Sequence, residues 1–181
     1  MKIHIFGGPG SGKTTLATNL SRELNIPHYD LDYFRYKEED IDYTQYEEED
    51  VCEKKLKKVI SKKSWITEGS YSDFAWPCFE KSDIIIILEP NFTVTNYRIM
   101  KRFLLHKLGI KRRHKPELWR NLPGLLRWNH VVTYKKLPAM KERIKPLNHK
   151  VIYLKRKFDF EELIKKIKKK KRKRVFFCTC F

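Results

Sequence analysis

The chain has 181 residues, of which 41% are hydrophobic and 13% aromatic; this suits one domain with at most an inserted lid and excludes a largely disordered chain. No apolar run reaches the roughly 18 residues that span a bilayer, and the four cysteines lack the spacing of a zinc site, so we expect no transmembrane segment and a cytoplasmic location.

Charge is distributed unevenly along the chain. Residues 1–90 hold 12 Lys+Arg and 17 Asp+Glu, a net of −5, whereas residues 91–181 hold 28 and 5, a net of +23. The basic half therefore either meets an anionic partner, such as a nucleotide, a nucleic acid or a membrane surface, or stays strongly self-repelling.

The first half of the chain alternates predicted strands and helices. A strand over residues 2–6 runs directly into glycines, and an amphipathic helix over 14–24 follows it. A second strand is predicted over 28–31, a helix over 43–61, and a third strand over 64–67.

The second half begins with the most apolar strand, residues 83–88, whose unbroken run is typical of a strand covered on both faces. A helix over 91–108 follows. Its buried face is predicted from the spacing of Val94, Tyr97, Met100 or Lys101, and Leu104 or Leu105. The remaining predicted elements are a helix over 131–144, a strand over 151–154 and a helix over 158–169.

Strands that alternate with helices predict βαβ units. We therefore expect a three-layer α/β/α domain with a five-stranded parallel sheet over residues 1–167. The segment 109–130 is basic and lacks clean periodicity, which indicates a small basic lid inserted in that domain. Residues 168–181, a Lys and Arg run that ends in an apolar stretch, are predicted to be a flexible basic tail. The residues leave open whether this tail is frayed, binds an anionic surface, or is a non-native C-terminus.

The strongest motif lies between the first predicted strand and the first predicted helix. It fits the phosphate-binding pattern Gly-x-x-x-x-Gly-Lys-[Ser/Thr] and consists of Gly7, Gly8, Pro9, Gly10, Ser11, Gly12, Lys13 and Thr14, followed by Thr15. The glycines let main-chain N–H groups approach phosphate oxygens, and the helix that follows points its positive end at the same place. Lys13 suits the β and γ phosphates, and the Thr14 hydroxyl suits Mg²⁺. The motif predicts ATP and Mg²⁺ as cofactors.

Carboxylates follow two predicted strands, at the edge where ligands of open α/β sheets lie. Alternation along the second strand would put Asp30 and Asp32 on one face. Asp32 is predicted to orient the hydroxyl of a phosphate acceptor, although one of the two could instead cap the next helix. Glu68, after the third strand, is predicted to be a base or to hold Mg²⁺-bound water.

Arginines surround the predicted lid, at Arg98, Arg102, Arg112, Arg113 and Arg120. The planar guanidinium fits phosphate oxygens, and a basic lid that closes over a nucleotide would exclude water and neutralise developing charge. We expect one or more of Arg98, Arg102, Arg112 and Arg113 to stabilise the transition state. The alternative is that these arginines form a solvated basic face.

Residues 1 to about 165 resemble the small P-loop kinase-like proteins related to adenylate and shikimate kinases, a group that includes those named DNA topology modulation proteins. The resemblance rests on five stretches: residues 3–14 with the glycine-rich motif, Asp30-Leu-Asp32, residues 65–71, residues 83–88, and Tyr97-Arg98 with Lys101-Arg102. Relatives typically have Asp-Gly-Asn-Tyr where this chain has Glu68-Gly69-Ser70-Tyr71. The resemblance implies a five-stranded parallel core, ATP and Mg²⁺ binding, and an arginine-rich lid.

These observations predict an ATP-dependent phosphotransferase that moves the γ-phosphate of ATP to a small acceptor, such as a nucleoside monophosphate or another hydroxyl compound. The rival hypothesis is a nucleic-acid-associated ATPase or DNA-topology-modulating protein, which the basic half and the tail favour. A third hypothesis is a regulatory domain that binds ATP without turnover.

Overall fold

The computed structural model describes residues 1–37, 45–70, 73–109, 119–155 and 159–178. Its strands are β1 (Lys2–Gly7), β2 (His28–Asp30), β3 (Trp65–Gly69), β4 (Ile84–Leu88) and β5 (Val151–Leu154). Its helices are α1 (Lys13–Leu24), α2 (Asp32–Arg35), α3 (Glu49–Ile60), α4 (Trp76–Lys81), α5 (Phe92–Lys107), α6 (Leu122–Val131), α7 (Leu137–Arg143) and α8 (Phe160–Cys178). A π-helical turn (Val132–Lys136) joins α6 to α7, and 3-10 turns span Trp119–Asn121 and Lys145–Lys150.

The five strands form one parallel sheet in the order β2-β3-β1-β4-β5. Parallel neighbours need long crossover connections, which here are helices. β4 consists of four isoleucines and a leucine, all buried, as expected of a strand that is covered on both faces. The structure therefore confirms the predicted fold class, an α/β domain with a five-stranded parallel sheet.

Two clusters of buried apolar side chains fill the spaces on either side of this sheet. On one side α1 and α8 pack against the strands through residues such as Leu16, Leu20 and Ile167. On the other side α3, α4 and α7 do so through residues such as Leu56 and Phe79. The result is three layers, with the loop between β1 and α1 at the edge where the strands end.

The predicted inner face of α5 is wrong. Val94 is 41% exposed and Tyr97 is 62% exposed, whereas Thr95, Ile99 and Phe103 are buried. Both sets recur at helical spacing, because this helix is apolar on more than one side, so periodicity alone cannot choose between them. Packing against α6 and against the glycine-rich loop selects the second set.

The sequence pattern missed the two short helices α2 and α4, whose four and six residues are too few to show a period. The helix predicted over residues 43–61 begins only at Glu49, and residues 38–44 lie outside the described part of the chain. The strand predicted over 64–67 extends to Gly69, so Glu68 lies within β3 rather than after it.

The segment 109–130 lies partly outside the described residues, since 110–118 are not described. Its described remainder forms the first 3-10 turn and most of α6, so its role as a lid remains a prediction.

The predicted helix end at residue 169 is wrong, because α8 continues to Cys178. Lys and Arg are good helix formers, and no Gly or Pro interrupts them. Flexibility of residues 168–181 also remains a prediction. Among the described residues, no helix has the length and apolar content needed to cross a membrane.

Candidate active site

The glycine-rich loop joins the end of the central strand β1 to the start of α1. Gly10 and Gly12 adopt positive φ angles of 69° and 96°, which glycine takes without strain. A Cβ atom on Gly10 would lie 2.7 Å from the main-chain oxygen of Thr95 in α5, so only glycine fits there. Since α1 begins at Lys13, its free N–H groups and positive dipole end point at the loop, as a phosphate-binding site requires.

Lys13 is held over the loop. Its Nζ donates a hydrogen bond to the main-chain oxygen of Gly8 at 3.2 Å and lies 4.0 Å from Glu68 Oε2. The side chain is only 11% exposed. An ammonium group in this position can exchange the carbonyl for a phosphate oxygen with little movement, which fits the role predicted for Lys13.

Glu68 lies against the end of the loop although it comes from β3. The Thr14 hydroxyl donates a hydrogen bond to Glu68 Oε1 at 2.6 Å, and His28 Nε2 lies 3.8 Å from the same oxygen. Burial alone would raise the pKa of Glu68, but the close approach of the His28 imidazole and the Lys13 ammonium, with the hydroxyl's hydrogen bond, lowers it. Glu68 is therefore a buried carboxylate that stays ionised.

Asp30 is the immediate neighbour of Glu68, because the two residues are paired across β2 and β3. Burial and the charges of Glu68 and Asp32 raise the pKa of Asp30 to about 8. At neutral pH this pair of adjacent carboxyls, Glu68 buried and Asp30 half-buried, thus carries one negative charge on Glu68 and one proton on Asp30.

Asp32 does not share a strand face with Asp30, and that expectation is wrong. β2 ends at Asp30, and Asp32 begins α2, so strand alternation no longer applies between them. The Asp32 main-chain N–H donates to Asp30 Oδ1 at 2.9 Å. Asp30 lies just before Leu31, the N-cap residue of α2, and accepts the first N–H of that helix, which is close to the capping role that the sequence left open for one of the two. An acceptor-orienting role for Asp32 remains a prediction.

Two further residues reach the loop from a distance in sequence, and sequence reasoning gave neither a role. Ser70 Oγ donates to the main-chain oxygen of Gly7 at 2.8 Å and fixes the end of β1. His28, the first residue of β2, contacts Glu68 as described above. The position of Ser70 in the Glu-Gly-Ser-Tyr run was the one available signal, and no local pattern marks His28.

Of the predicted arginines, the structure brings Arg98 to the loop. Its Nη1 lies 3.5 Å from the main-chain oxygens of both Gly10 and Ser11, and the side chain is otherwise exposed. Arg102 is half-buried on the same helix and Arg120 is exposed before α6. Arg112 and Arg113 lie outside the described residues.

The loop is closed on its other side by the helical stretch of α6 and the π turn. A Cβ atom on Gly8 would lie 3.2 Å from Val132 Cγ1 and 3.3 Å from Asn129 Oδ1. Asn129 is fully buried and is bonded to Thr95 and Asn96 of α5. Two helices therefore enclose the first half of the loop.

The residues beside the loop fit Mg²⁺. This ion prefers oxygen ligands and is commonly held by one or two carboxylates together with substrate phosphates and water. Thr14 supplies a hydroxyl and Glu68 supplies a carboxylate next to it. Within the described residues no group of three or more His, Cys, Asp or Glu side chains forms a metal site by itself, so phosphates would have to complete the coordination.

A groove of about 450 Å³ opens on the side of the sheet that carries α3 and α4. Its floor is apolar, with Leu56 and Phe74, and its rim carries both signs of charge, with Arg35 and Lys136 as cations. Lys136 ends the π turn, whose first residue, Val132, lies beside Gly8 of the phosphate loop.

Comparison with solved structures finds many similar chains, among them two shikimate kinases. The one from Bacteroides thetaiotaomicron is 18% identical, with a TM-score of 0.48 over 78% of this chain and 82% of that chain. The one from Aquifex aeolicus vf5 is 18% identical, with a TM-score of 0.49 over 97% of this chain and 99% of that chain. Neither a protein-family model nor a curated protein matches the chain.

Similarities this distant carry no argument about the reaction, so membership of the DNA topology modulation group remains a prediction. The chain's own topology supports a narrower statement. A parallel sheet in the order β2-β3-β1-β4-β5, with a glycine-rich phosphate loop between β1 and α1, is a P-loop α/β fold.

Proposed function

We propose that this chain is a P-loop phosphotransferase that moves the γ-phosphate of ATP to a small acceptor. The observation that carries the proposal is the contact of Lys13 and Thr14, at the end of the phosphate loop, with the buried carboxylate of Glu68. A glycine-rich turn with a purely structural role needs no buried carboxylate beside its lysine, because burying an ion is costly unless it is paired.

Each of these groups has a task in phosphoryl transfer, which depends on positioning and charge neutralisation more than on covalent chemistry. The loop N–H groups and Lys13 bind the β and γ phosphates. Mg²⁺, when bound, neutralises phosphate charge, and Thr14 would hold it while Glu68 fixes the water around it. Arg98 sits beside Gly10 and Ser11, where a guanidinium can stabilise the charge of the moving group.

The acceptor is a small hydroxyl compound bound between the phosphate loop and the groove beside α3. The groove volume of about 450 Å³ suits a small molecule. Asp32, at the start of α2, orients the acceptor hydroxyl. The proton held by Asp30 limits the negative charge beside that hydroxyl, which favours the approach of an anionic phosphoryl group.

The test is phosphate transfer from γ-labelled MgATP to a panel of nucleoside monophosphates, sugars and other small alcohols. We expect label in one acceptor class, and we expect Glu68→Gln to lower kcat/KM by about 100-fold, the loss typical of a group that acts in the transition state. An exposed carboxylate on α8, changed by Glu162→Gln, is the matched control and should keep full activity. ATP binding without transfer to any acceptor would contradict the kinase proposal.

A second candidate function, a nucleic-acid-associated ATPase, is favoured by one observation. Lys165, Lys166, Lys168 and Lys169 are all exposed on α8, in a half of the chain with a net charge of +23. Contacts of this kind bind phosphates without reading sequence and weaken steeply with salt. Removal of residues 168–181 separates the two functions, because loss of DNA binding with unchanged ATP turnover would make the tail an electrostatic anchor only.

A further inference from the structure

Asn129 of α6 is a polar residue in a place where burial is expensive. Its side chain has no exposed surface, and its amide Nδ2 donates two hydrogen bonds of 2.8 Å, to Thr95 Oγ1 and to Asn96 Oδ1 of α5. Its carbonyl Oδ1, also buried, has no hydrogen-bond partner among the described residues. A buried acceptor left without a donor destabilises the state that contains it.

The orientation of this amide is fixed by its partners. The Thr95 hydroxyl gives its one proton to the main-chain oxygen of Phe92 at 2.8 Å, so towards Asn129 it can only accept. The Asn96 oxygen also only accepts. The NH₂ group must therefore face α5, and Oδ1 must face the other way, towards Gly8.

Asn129 and its partner Thr95 both lie against the phosphate loop. A Cβ atom on Gly8 would lie 3.3 Å from Asn129 Oδ1, and one on Gly10 would lie 2.7 Å from the main-chain oxygen of Thr95. The pair Asn129 and Thr95 thus spans from one loop glycine to the other. The π turn begins three residues later, at Val132, which contacts the same face of Gly8, and such turns are frequent at functional sites.

We propose that Asn129 is a positioning residue of the phosphate loop. Its NH₂ group holds α6 to α5 and so fixes the wall against which Gly8 rests. Its unpartnered oxygen accepts a main-chain N–H of the loop when the loop closes around a triphosphate. The cost of the unpartnered oxygen is then relieved in the nucleotide-bound state. This inference rests on the proposed function, since it concerns the site that binds ATP.

The experiment compares nucleotide affinity in wild type, Asn129→Leu, Thr95→Val and the double variant. Affinity for a fluorescent ATP analogue is measured well below the unfolding temperature, where every folded variant is fully native, and urea unfolding is measured in parallel. Asn129→Leu keeps the size of the side chain but removes both polar ends. Asn148→Ala is the matched control, since Asn148 lies before β5, at the opposite edge of the sheet.

We expect the Kd of Asn129→Leu to rise about tenfold, which equals about 1.4 kcal/mol, and Thr95→Val to act in the same direction. The double variant should raise the Kd by less than the two single effects combined, because both changes remove the same hydrogen bond. Asn148→Ala should leave the Kd unchanged. A residue that only stabilises the fold would alter urea unfolding and leave the Kd of the folded protein untouched.

An unchanged Kd in Asn129→Leu, with wild type binding normally, overturns this inference alone. If Asn129→Leu does not fold, Thr95→Val decides: a raised Kd supports the inference and an unchanged Kd overturns it. If wild type itself does not bind the analogue, the proposed function fails as well.

Discussion

Replacing Asp30 by Asn should change how the stability of the protein depends on pH. The pKa of Asp30 is raised from 3.8 to about 8, so between these values the folded state keeps a proton that the unfolded state has lost. The contribution of Asp30 to the stability of the wild type therefore falls as pH rises, by up to about 1.4 kcal/mol per pH unit. Asn resembles the protonated form and cannot ionise. The free energy of unfolding of Asp30→Asn, relative to that of wild type, should thus rise by about 2–3 kcal/mol from pH 5 to pH 7.

Other titrating groups do not obscure this difference. The pKa of Glu68 is lowered, so the stability that its charge contributes is lost only as the pH drops below about 4.5. That is outside the range from pH 5 to pH 7. Burial lowers the pKa of His4 to about 3, which makes stability rise with pH up to about 6.5, but wild type and variant share this effect and it cancels.

Urea unfolding at pH 5, 6 and 7 is the assay for Asp30→Asn. The control is Asp50→Asn: Asp50 is an exposed carboxylate whose pKa is lowered by its hydrogen bond to Lys54, so its difference from wild type should be flat over this range. A flat difference for Asp30→Asn would show that Asp30 is ionised in the folded protein and would refute the shared charge with Glu68.

Two further predictions concern the loop and the helix beside it. Gly10→Ala should destabilise the protein by about 2 kcal/mol or more and weaken ATP binding, because the residue has a φ of 69° and its Cβ would meet the Thr95 oxygen. Gly124→Ala, in α6 with open space around it, should instead stabilise by about 0.5–1 kcal/mol in the same urea experiment, and equal effects would contradict the loop geometry. Phe103→Ala should cost about 3–5 kcal/mol, whereas Met100→Ala, 54% exposed on the same helix, should cost less than about 0.5 kcal/mol. The reverse order would mean that α5 buries the face that periodicity predicted.

Local patterns predicted the parts of the molecule that local chemistry determines. The strand before Gly7, the glycine-rich loop and the all-apolar β4 each carry their signal within a few consecutive residues. The order of strands and the position of Glu68 beside Thr14 follow from parallel pairing, because the strand ends meet at one edge of the sheet.

The remaining features depend on contacts that no short window contains. Ser70 reaches Gly7 across 63 positions. β2 ends at Asp30 and α2 begins at Asp32, with one residue between them. The sequence pattern does not define the end of a strand to within one residue, so it could not decide to which element Asp32 belongs. The inner face of α5 was ambiguous in sequence because Ile99 and Phe103 compete with equally apolar neighbours. Asn129 is marked only by its burial, which is a property of the folded chain.

The central claim is that the loop before α1 binds a triphosphate through Lys13. Titration calorimetry with MgATP on wild type and Lys13→Ala tests it most directly, with exposed Lys81→Ala as the control. We expect measurable binding to wild type and to the control, and an affinity at least about tenfold weaker in Lys13→Ala, equal to about 1.4 kcal/mol. The same affinity in Lys13→Ala as in wild type would contradict it.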